Sequence, residues 1–182
     1  RVRNLWFTCA AAMIAAAYLS FVGQNSVNIP FWDDVALFKQ DSGLVRWLLL
    51  RNNEHIIAGP KLIAASVELA FGHLDFKILC LIGAAFSSWL YFAMFRYALK
   101  MNLSVTGCIF GYIIVHSPVN WENGLWALAS LQNGPAFLLS CLSIVIFLSQ
   151  GRGYKSLKVG FLVVVSAAFS ATGFIAAALL LG

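Results

Sequence analysis

Charged residues are scarce in this chain, and their scarcity indicates its class. Only 10% of the 182 residues are Asp, Glu, Lys or Arg, whereas 61% are hydrophobic. A soluble globular domain carries about a quarter charged residues. The composition therefore excludes a soluble domain, a disordered chain and a collagen-like fibre. It predicts an all-α membrane protein, because several apolar stretches approach the roughly 20 residues that a spanning helix needs.

Paired cysteines and the motifs of common soluble enzymes are also lacking. The four cysteines all lie in apolar stretches, and none forms a C-x-x-C pair. The sequence therefore predicts neither a disulfide framework nor a cysteine-bound metal. It contains no Walker loop, no dinucleotide fingerprint, no H-E-x-x-H and no G-x-S-x-G. ATP-driven transport gains no support from these residues.

The apolar stretches predict a polytopic helical bundle. We expect residues 1–182 to form the N-terminal part of a single transmembrane domain in a longer protein. The predicted spans lie at about residues 5–22, 76–98, 105–117, 134–149, 159–170 and 174–182, the last one truncated. Residues 24–75 are mixed in polarity and predict a large extracytoplasmic loop with helices along the membrane surface.

Two alternatives to this span assignment stay open. The first apolar stretch follows basic residues, as the core of a signal peptide does. An extra span near residues 56–71 is the second alternative. It would bring Lys61 and Glu68 into the bilayer, which costs a few kcal/mol for each charge. We therefore rank it below a helix on the surface.

The ionisable side chains are divided between the two predicted faces of the membrane. The positive-inside rule places the N-terminus in the cytoplasm. The basic residues of the inner face are then Arg1, Arg3, Arg96, Lys100, Arg152, Lys155 and Lys158. Every acid and every histidine falls on the outer face. The net charge of +5 is thus a signal of topology and does not predict a nucleic-acid partner. Any acid–base chemistry is expected on the extracytoplasmic face.

An acid pair follows the first span, in the stretch "IPFWDDVALF". Neighbouring carboxylates repel each other, so such a pair is tolerated where it holds a cation, accepts a proton or caps a helix. Pro30 precedes Asp33 and Asp34, which predicts the start of a helix, where acids suit the dipole. The two roles are compatible, because one carboxylate can cap while the other projects into a cleft.

Two further polar stretches are candidate sites on the same face. The stretch "RNNEHI" combines a guanidinium, which suits a phosphate, with amides, a carboxylate and an imidazole. A solvated loop is its alternative interpretation. The stretch "HSPVNWENGLWALASLQNG" supplies tryptophans that suit either an interfacial anchor or, together with its amides and acid, a wall for a sugar ring.

The motifs "PFWDD", "NEH", "WENGLW" and "FSATG", in this order, resemble a group of bacterial integral-membrane proteins related to GT-C glycosyltransferases. The chain is more distantly similar to the protein mannosyltransferases and aminoarabinose transferases. The resemblance covers most of the chain, as short motifs. It implies a GT-C-like bundle in the bacterial inner membrane. It also implies transfer of a hexose or pentose from a polyprenyl-phosphate donor to an acceptor on the extracytoplasmic face.

The resemblance also implies roles for particular residues. Asp33 or Asp34 would be the catalytic base, or would hold a divalent cation, Mg²⁺ or Mn²⁺, near the donor phosphate. The residues expected to bind donor or acceptor are Arg51, Asn53, Glu54, His55, Trp121, Glu122, Asn123 and Gln132. Related sequences often read N-E-H-R, whereas Ile56 follows His55 here. Arg51, one helical turn earlier, is the expected substitute for that arginine.

Two other classes of function compete with sugar transfer. One is a transporter or flippase for a lipid-linked or polar solute, which usually keeps polar residues near the bilayer midplane. The predicted spans are nearly free of ionisable groups. The other class is a non-catalytic membrane scaffold, which would tolerate the loss of Asp33 and Asp34.

Overall fold

The structure, a computed structural model, describes residues 2–39, 43–52, 55–149 and 155–170, and its fold is all-α. Helix accounts for 82% of it. The helices are α1 (Val2–Asn25), α2 (Leu44–Leu49), α3 (Ala58–Phe71), α4 (Phe76–Lys100), α5 (Val105–Val115), α6 (Glu122–Leu125), α7 (Ala127–Ser149) and α8 (Lys155–Phe169). Two short strands, β1 (Arg51–Asn52) and β2 (His55–Ile56), form a hairpin, and 3-10 turns occupy Trp32–Leu37 and Pro118–Asn120.

Three helices are long and apolar enough to cross a membrane: Val2–Asn25, Phe76–Lys100 and the Ala127–Ile144 part of α7. The predicted spans at 105–117 and 159–170 correspond to apolar helices that are shorter than this. The predicted span at 174–182 lies outside the described residues. Only 17% of the apolar window of α1 is buried. A helix that is apolar and yet exposed needs apolar surroundings, so these helices are compatible with an integral membrane protein.

The start of α7 differs from the predicted span. The prediction placed it at residue 134, at the end of the polar stretch "HSPVNWENGLWALASLQNG". The helix instead begins at Ala127 and carries Pro135 in its interior. The polar segment before the proline is helical because its first turn is bound by a side chain from a distant loop, as described below.

Helices α1 and α4 run antiparallel, and hydrogen bonds join them at both ends. At one end, Arg3 Nη2 donates to the carbonyl oxygen of Leu99 at 2.6 Å. At the other, Asn28 Oδ1 accepts from the Phe76 amide at 2.8 Å. The basic residue Arg96 also donates to Thr8 at the first end. Basic residues therefore gather at one end of this pair, while the acid pair follows α1 at the opposite end.

Small residues let α4 and α7 approach closely. A Cβ added to Gly83 would lie 2.7 Å from the carbonyl carbon of Ser130. One added to Gly134 would lie 2.4 Å from Ser87 Oγ. Each helix thus presents two small residues four positions apart, a pattern that is common where membrane helices pack backbone to backbone. The close contact brings the start of α7 beside the N-terminal half of α4.

The segment between α1 and α4 contains the short helices α2 and α3. Helix α3 has 14 residues, so it is about 21 Å long and too short to span a bilayer of about 30 Å. Lys61 on α3 is buried, and its Nζ donates to the carbonyl oxygens of Trp47 at 2.9 Å and Leu50 at 2.7 Å. The ammonium therefore closes the C-terminal end of α2, where a cation suits the dipole. Burial lowers the pKa of Lys61.

Candidate functional site

The acid pair lies in the 3-10 turn Trp32–Leu37, which we call the acidic turn. Phe31 precedes it in an extended conformation, and Asp34 Oδ2 accepts a hydrogen bond from the Phe31 amide at 3.0 Å. The acid therefore closes the start of its own turn, as an N-terminal capping residue does. Trp32 has a φ of 49°, a value in the left-handed region that bulky residues rarely adopt. The acidic turn thus holds a locally strained backbone beside Asp33.

Asp34 also joins the acidic turn to α7. Its side chain is only 1% exposed, and Oδ1 accepts from the Leu128 amide at 2.7 Å. Leu128 is the second residue of α7, so its N–H has no partner within the helix and lies at the positive end of the dipole. Burial raises the pKa of Asp34, and the hydrogen bonds from Phe31 and Leu128 oppose that rise. One carboxylate therefore binds two segments that are 94 residues apart.

Asp33 is half-buried on the same turn, and the two residues before it in the chain are aromatic. The Phe31 ring lies 5.8 Å from the Trp126 ring in an edge-to-face arrangement. The Trp32 side chain is largely exposed beside it. The fold therefore brings the "PFWDD" stretch against the second tryptophan of "WENGLW". Apolar ring faces and a carboxylate in one place suit a sugar that offers both C–H and O–H groups.

The Mg²⁺ or Mn²⁺ ion expected at the acid pair stays a prediction, and Asp34 is a poor ligand for it. Each oxygen of Asp34 already accepts a backbone N–H, and the side chain is buried. A hard cation would need those oxygens as ligands. In the described part of the chain, no three His, Cys, Asp or Glu side chains group in a way that could hold a metal ion.

The "RNNEHI" stretch forms the hairpin of β1 and β2. Arg51 pairs with Ile56, and Asn52 pairs with His55. The expectation that Arg51 stands one helical turn before Ile56 is wrong in its geometry, because the two residues are opposite each other in antiparallel strands. Opposed residues share a face, so the exposed Arg51 still supplies a cation beside position 56.

Three predicted members of the "RNNEHI" site lie wholly or partly outside the described residues. Asn53, Glu54 and the side chain of His55 lie outside the described residues. The two backbone donors to Asp34 belong to other segments. The structure joins the acid pair to α7. Contact between the acid pair and the predicted donor-binding residues of the hairpin stays a prediction.

The "WENGLW" stretch forms α6 and its flanks. Trp121, Glu122 and Asn123 are exposed. Asn123 Oδ1 accepts from Asn133 of α7 at 3.3 Å. Gln132 is half-buried and donates instead to Ser170 after α8, at 3.4 Å. Asn123 and Gln132 were expected to line one surface for a sugar ring. Their described hydrogen bonds go to different partners, Asn133 and Ser170.

Helix α6 covers a polar cavity of about 300 Å³. A Cβ added to Gly124 of α6 would lie 2.6 Å from Tyr18 Oη, so the helix packs directly over α1. The polar residues that line the cavity are Tyr18, Ser87, Tyr91, His116, Asn120 and Asn123. Asn123 is the member of this set that the sequence singled out as a site residue. The others were missed because Tyr18, Ser87 and Tyr91 are isolated within apolar runs, where a hydroxyl gives no periodic signal.

His116 forms a rigid part of the cavity wall. Its Nδ1 lies 2.8 Å from the Tyr112 carbonyl oxygen, and its Nε2 lies 2.8 Å from Ser88 Oγ. A carbonyl oxygen only accepts, so Nδ1 carries the proton and Nε2 accepts from the Ser88 hydroxyl. The imidazole also stacks on the Tyr112 ring at 4.1 Å. Both nitrogens are engaged, so His116 positions its neighbours and is not poised as a proton shuttle.

Comparison with known proteins identifies no relative. No family model, no curated protein and no solved structure matches the chain. The resemblance to GT-C enzymes therefore stays a prediction based on short motifs.

Proposed function

We propose that this chain is part of an integral membrane glycosyltransferase that uses a polyprenyl-phosphate sugar as donor. The observation that carries the proposal is that the two acids of the pair differ in burial and in bonding. Asp34 is buried and bound to two backbone amides, so it holds the turn in place. Asp33 is half-buried on the same turn and directly follows the paired rings of Phe31 and Trp32 in the chain. Asp33 is therefore the better candidate for the catalytic base.

In the proposed reaction, Asp33 accepts the proton of the acceptor hydroxyl. The acceptor oxygen forms a bond to the anomeric carbon of the sugar. The bond between that carbon and the phosphate oxygen breaks, and polyprenyl phosphate leaves with the electron pair. Phe31 and Trp126 offer ring faces to the sugar, and Arg51 offers a guanidinium to the phosphate. The mechanism includes no step at a metal ion.

The proposal places this chemistry at the extracytoplasmic face of the bacterial inner membrane. A polyprenyl donor keeps its tail in the bilayer and presents its sugar at the surface. Three long apolar helices are compatible with such a location. The gathering of Arg3 and Arg96 at one end of the α1–α4 pair supports a cytoplasmic N-terminus, by the positive-inside rule.

Matched asparagine variants test the proposal. The complete protein in membranes would receive radiolabelled polyprenyl-phosphate sugars, and transfer or donor hydrolysis would be measured per inserted molecule. We expect Asp33→Asn to lose about 10²- to 10⁴-fold in rate, because it removes a general base. Asp34→Asn should keep its rate per folded molecule and lose stability. Full activity in both variants, or loss in Asp34→Asn alone, would contradict the assignment.

Transport of a polar solute is the second candidate, and the polar cavity favours it. Tyr91 lies 15 residues into α4, which is about 22 Å along the helix from its outer end. Polar groups at such depth are typical of solute pathways. Proteoliposomes that take up a labelled sugar or flip a lipid-linked sugar, without transfer and independently of Asp33, would favour transport.

A further inference from the structure

The polar cavity has the size of a site for one small ring. Its volume is about 300 Å³. This lies at the lower end of the range for ligand pockets in proteins, about 300–1,000 Å³. Its described lining residues come from α1, α4 and α7 and from the segment around α5 and α6, and none belongs to the acidic turn. The cavity is thus a separate feature from the proposed base.

The lining offers hydrogen bonds without charge. Asn120 Nδ2 donates to the carbonyls of Ile114 and Val115, which leaves its Oδ1 as an acceptor. Asn123 Oδ1 accepts from Asn133, which leaves its Nδ2 as a donor. The hydroxyls of the lining tyrosines and serine can do both. The described lining holds no carboxylate, ammonium or guanidinium, so it suits a neutral molecule and not a phosphate or an ion.

The two lining tyrosines are oriented by the same imidazole. The Tyr18 ring meets His116 edge to face at 5.0 Å, and the Tyr91 ring does so at 5.8 Å. His116 is itself held by two hydrogen bonds and by the Tyr112 ring. The aromatic wall is therefore organised before a ligand arrives, which lowers the entropic cost of binding.

We infer that the polar cavity binds a single neutral sugar ring. Hydroxyls that donate and accept match the mixed lining, and the C–H faces of a pyranose match tyrosine rings. The ring has two chemical sources, a free sugar or the sugar of a lipid-linked molecule. Binding does not depend on the proposed transferase activity, because no residue of the acidic turn is among the described lining.

The test uses the complete protein in nanodiscs of phosphatidylethanolamine and phosphatidylglycerol. Alkyl-glycoside detergents must be avoided, since their sugar heads would compete. Mannose, glucose, arabinose and, as a charged probe, glucuronate would be titrated by saturation-transfer NMR. We expect at least one neutral sugar to bind. Tyr18→Phe and Tyr91→Phe should each weaken that binding about 3- to 10-fold, because each removes one hydrogen-bonding hydroxyl. Tyr97→Phe, on α4 but away from the described lining, is the matched control.

The outcomes separate this inference from the proposed function. Asp33→Asn should bind sugar as wild type does, even where transfer is lost. Displacement of the free sugar by a polyprenyl-phosphate sugar supports a lipid-linked source, and absence of displacement supports a free one. The inference is overturned if no neutral sugar binds, if glucuronate binds as well as neutral sugars, or if Tyr18→Phe and Tyr91→Phe both bind normally. Thermal unfolding of each variant confirms that it is folded.

Discussion

Replacing Asp34 by alanine tests the tie between the acidic turn and α7. The variant removes both acceptors of the buried carboxylate, Oδ2 for the Phe31 amide and Oδ1 for the Leu128 amide. The Leu128 amide is buried, whereas Phe31 is partly exposed and water can reach its surroundings. The two orphaned donors therefore carry unequal penalties.

The expected loss in the free energy of unfolding is about 1–3 kcal/mol. A buried donor left without a partner costs about 1–3 kcal/mol, and a lost hydrogen bond near water about 0.5–1.5 kcal/mol. A gain opposes this loss, because burial raises the pKa of Asp34 and alanine removes the cost of burying that charge. The orphaned amides outweigh the relief, because the carboxylate is compensated by two donors in the native turn.

The assay is thermal or denaturant unfolding of the purified protein in lipid, followed by tryptophan fluorescence. Asp33→Ala is the matched control, since it removes the same group from the neighbouring, half-buried position. We expect that control to lower stability by less than Asp34→Ala does, because Asp34 is the fully buried member of the pair. Equal stability of Asp34→Ala and Asp33→Ala would refute the argument that Asp34 caps α7.

Three more predictions follow from the packing and from the charges. Gly83→Ala should lower the free energy of unfolding by about 1–3 kcal/mol, because the added Cβ would meet the α7 backbone. Gly160 faces open space, so Gly160→Ala should leave the free energy of unfolding unchanged in the same assay. Lys61→Met should lower the free energy of unfolding by about 1–3 kcal/mol, because two carbonyls at the end of α2 lose their donor. An equal loss in Lys39→Met, at an exposed lysine, would contradict this explanation. The raised pKa of Asp34 means that the folded state keeps a proton between pH 3.8 and that higher value, so wild-type stability should fall as pH rises through this window. Asp34→Asn should lack that part of the slope, and an unchanged slope would contradict the assignment.

Composition predicts the long helices because their signal is local. The ends of α1 and α4 lie within three residues of the predicted spans, since apolar runs and flanking charges mark them directly. The acid pair was also expected at a helix start. The hydrogen bond from Leu128 to Asp34 was not expected, because Leu128 is 94 residues away and an apolar residue does not indicate a partner for its amide. The start of α7 was placed too late, at residue 134, because the polar residues of "LQNG" interrupt the apolar run.

The polar cavity and the hairpin could not be predicted for a different reason. The Tyr18 and Tyr91 hydroxyls are single polar atoms on apolar helices, and only packing shows that they line one space. The hairpin has two residues per strand, too few for an alternating pattern to register. In both cases the information lies in relations between segments and not within any one of them.

The hydrogen bond between Asp34 and Leu128 has a consequence for how the protein is made. A ribosome adds about 5–20 residues per second, so Leu128 is synthesised about 5 to 20 s after Asp34. During that interval the aspartate has no α7 amide to bind, and its charge is satisfied by water. The acidic turn therefore reaches its final arrangement only after α7 has been synthesised. Its maturation is set by a helix that is made much later.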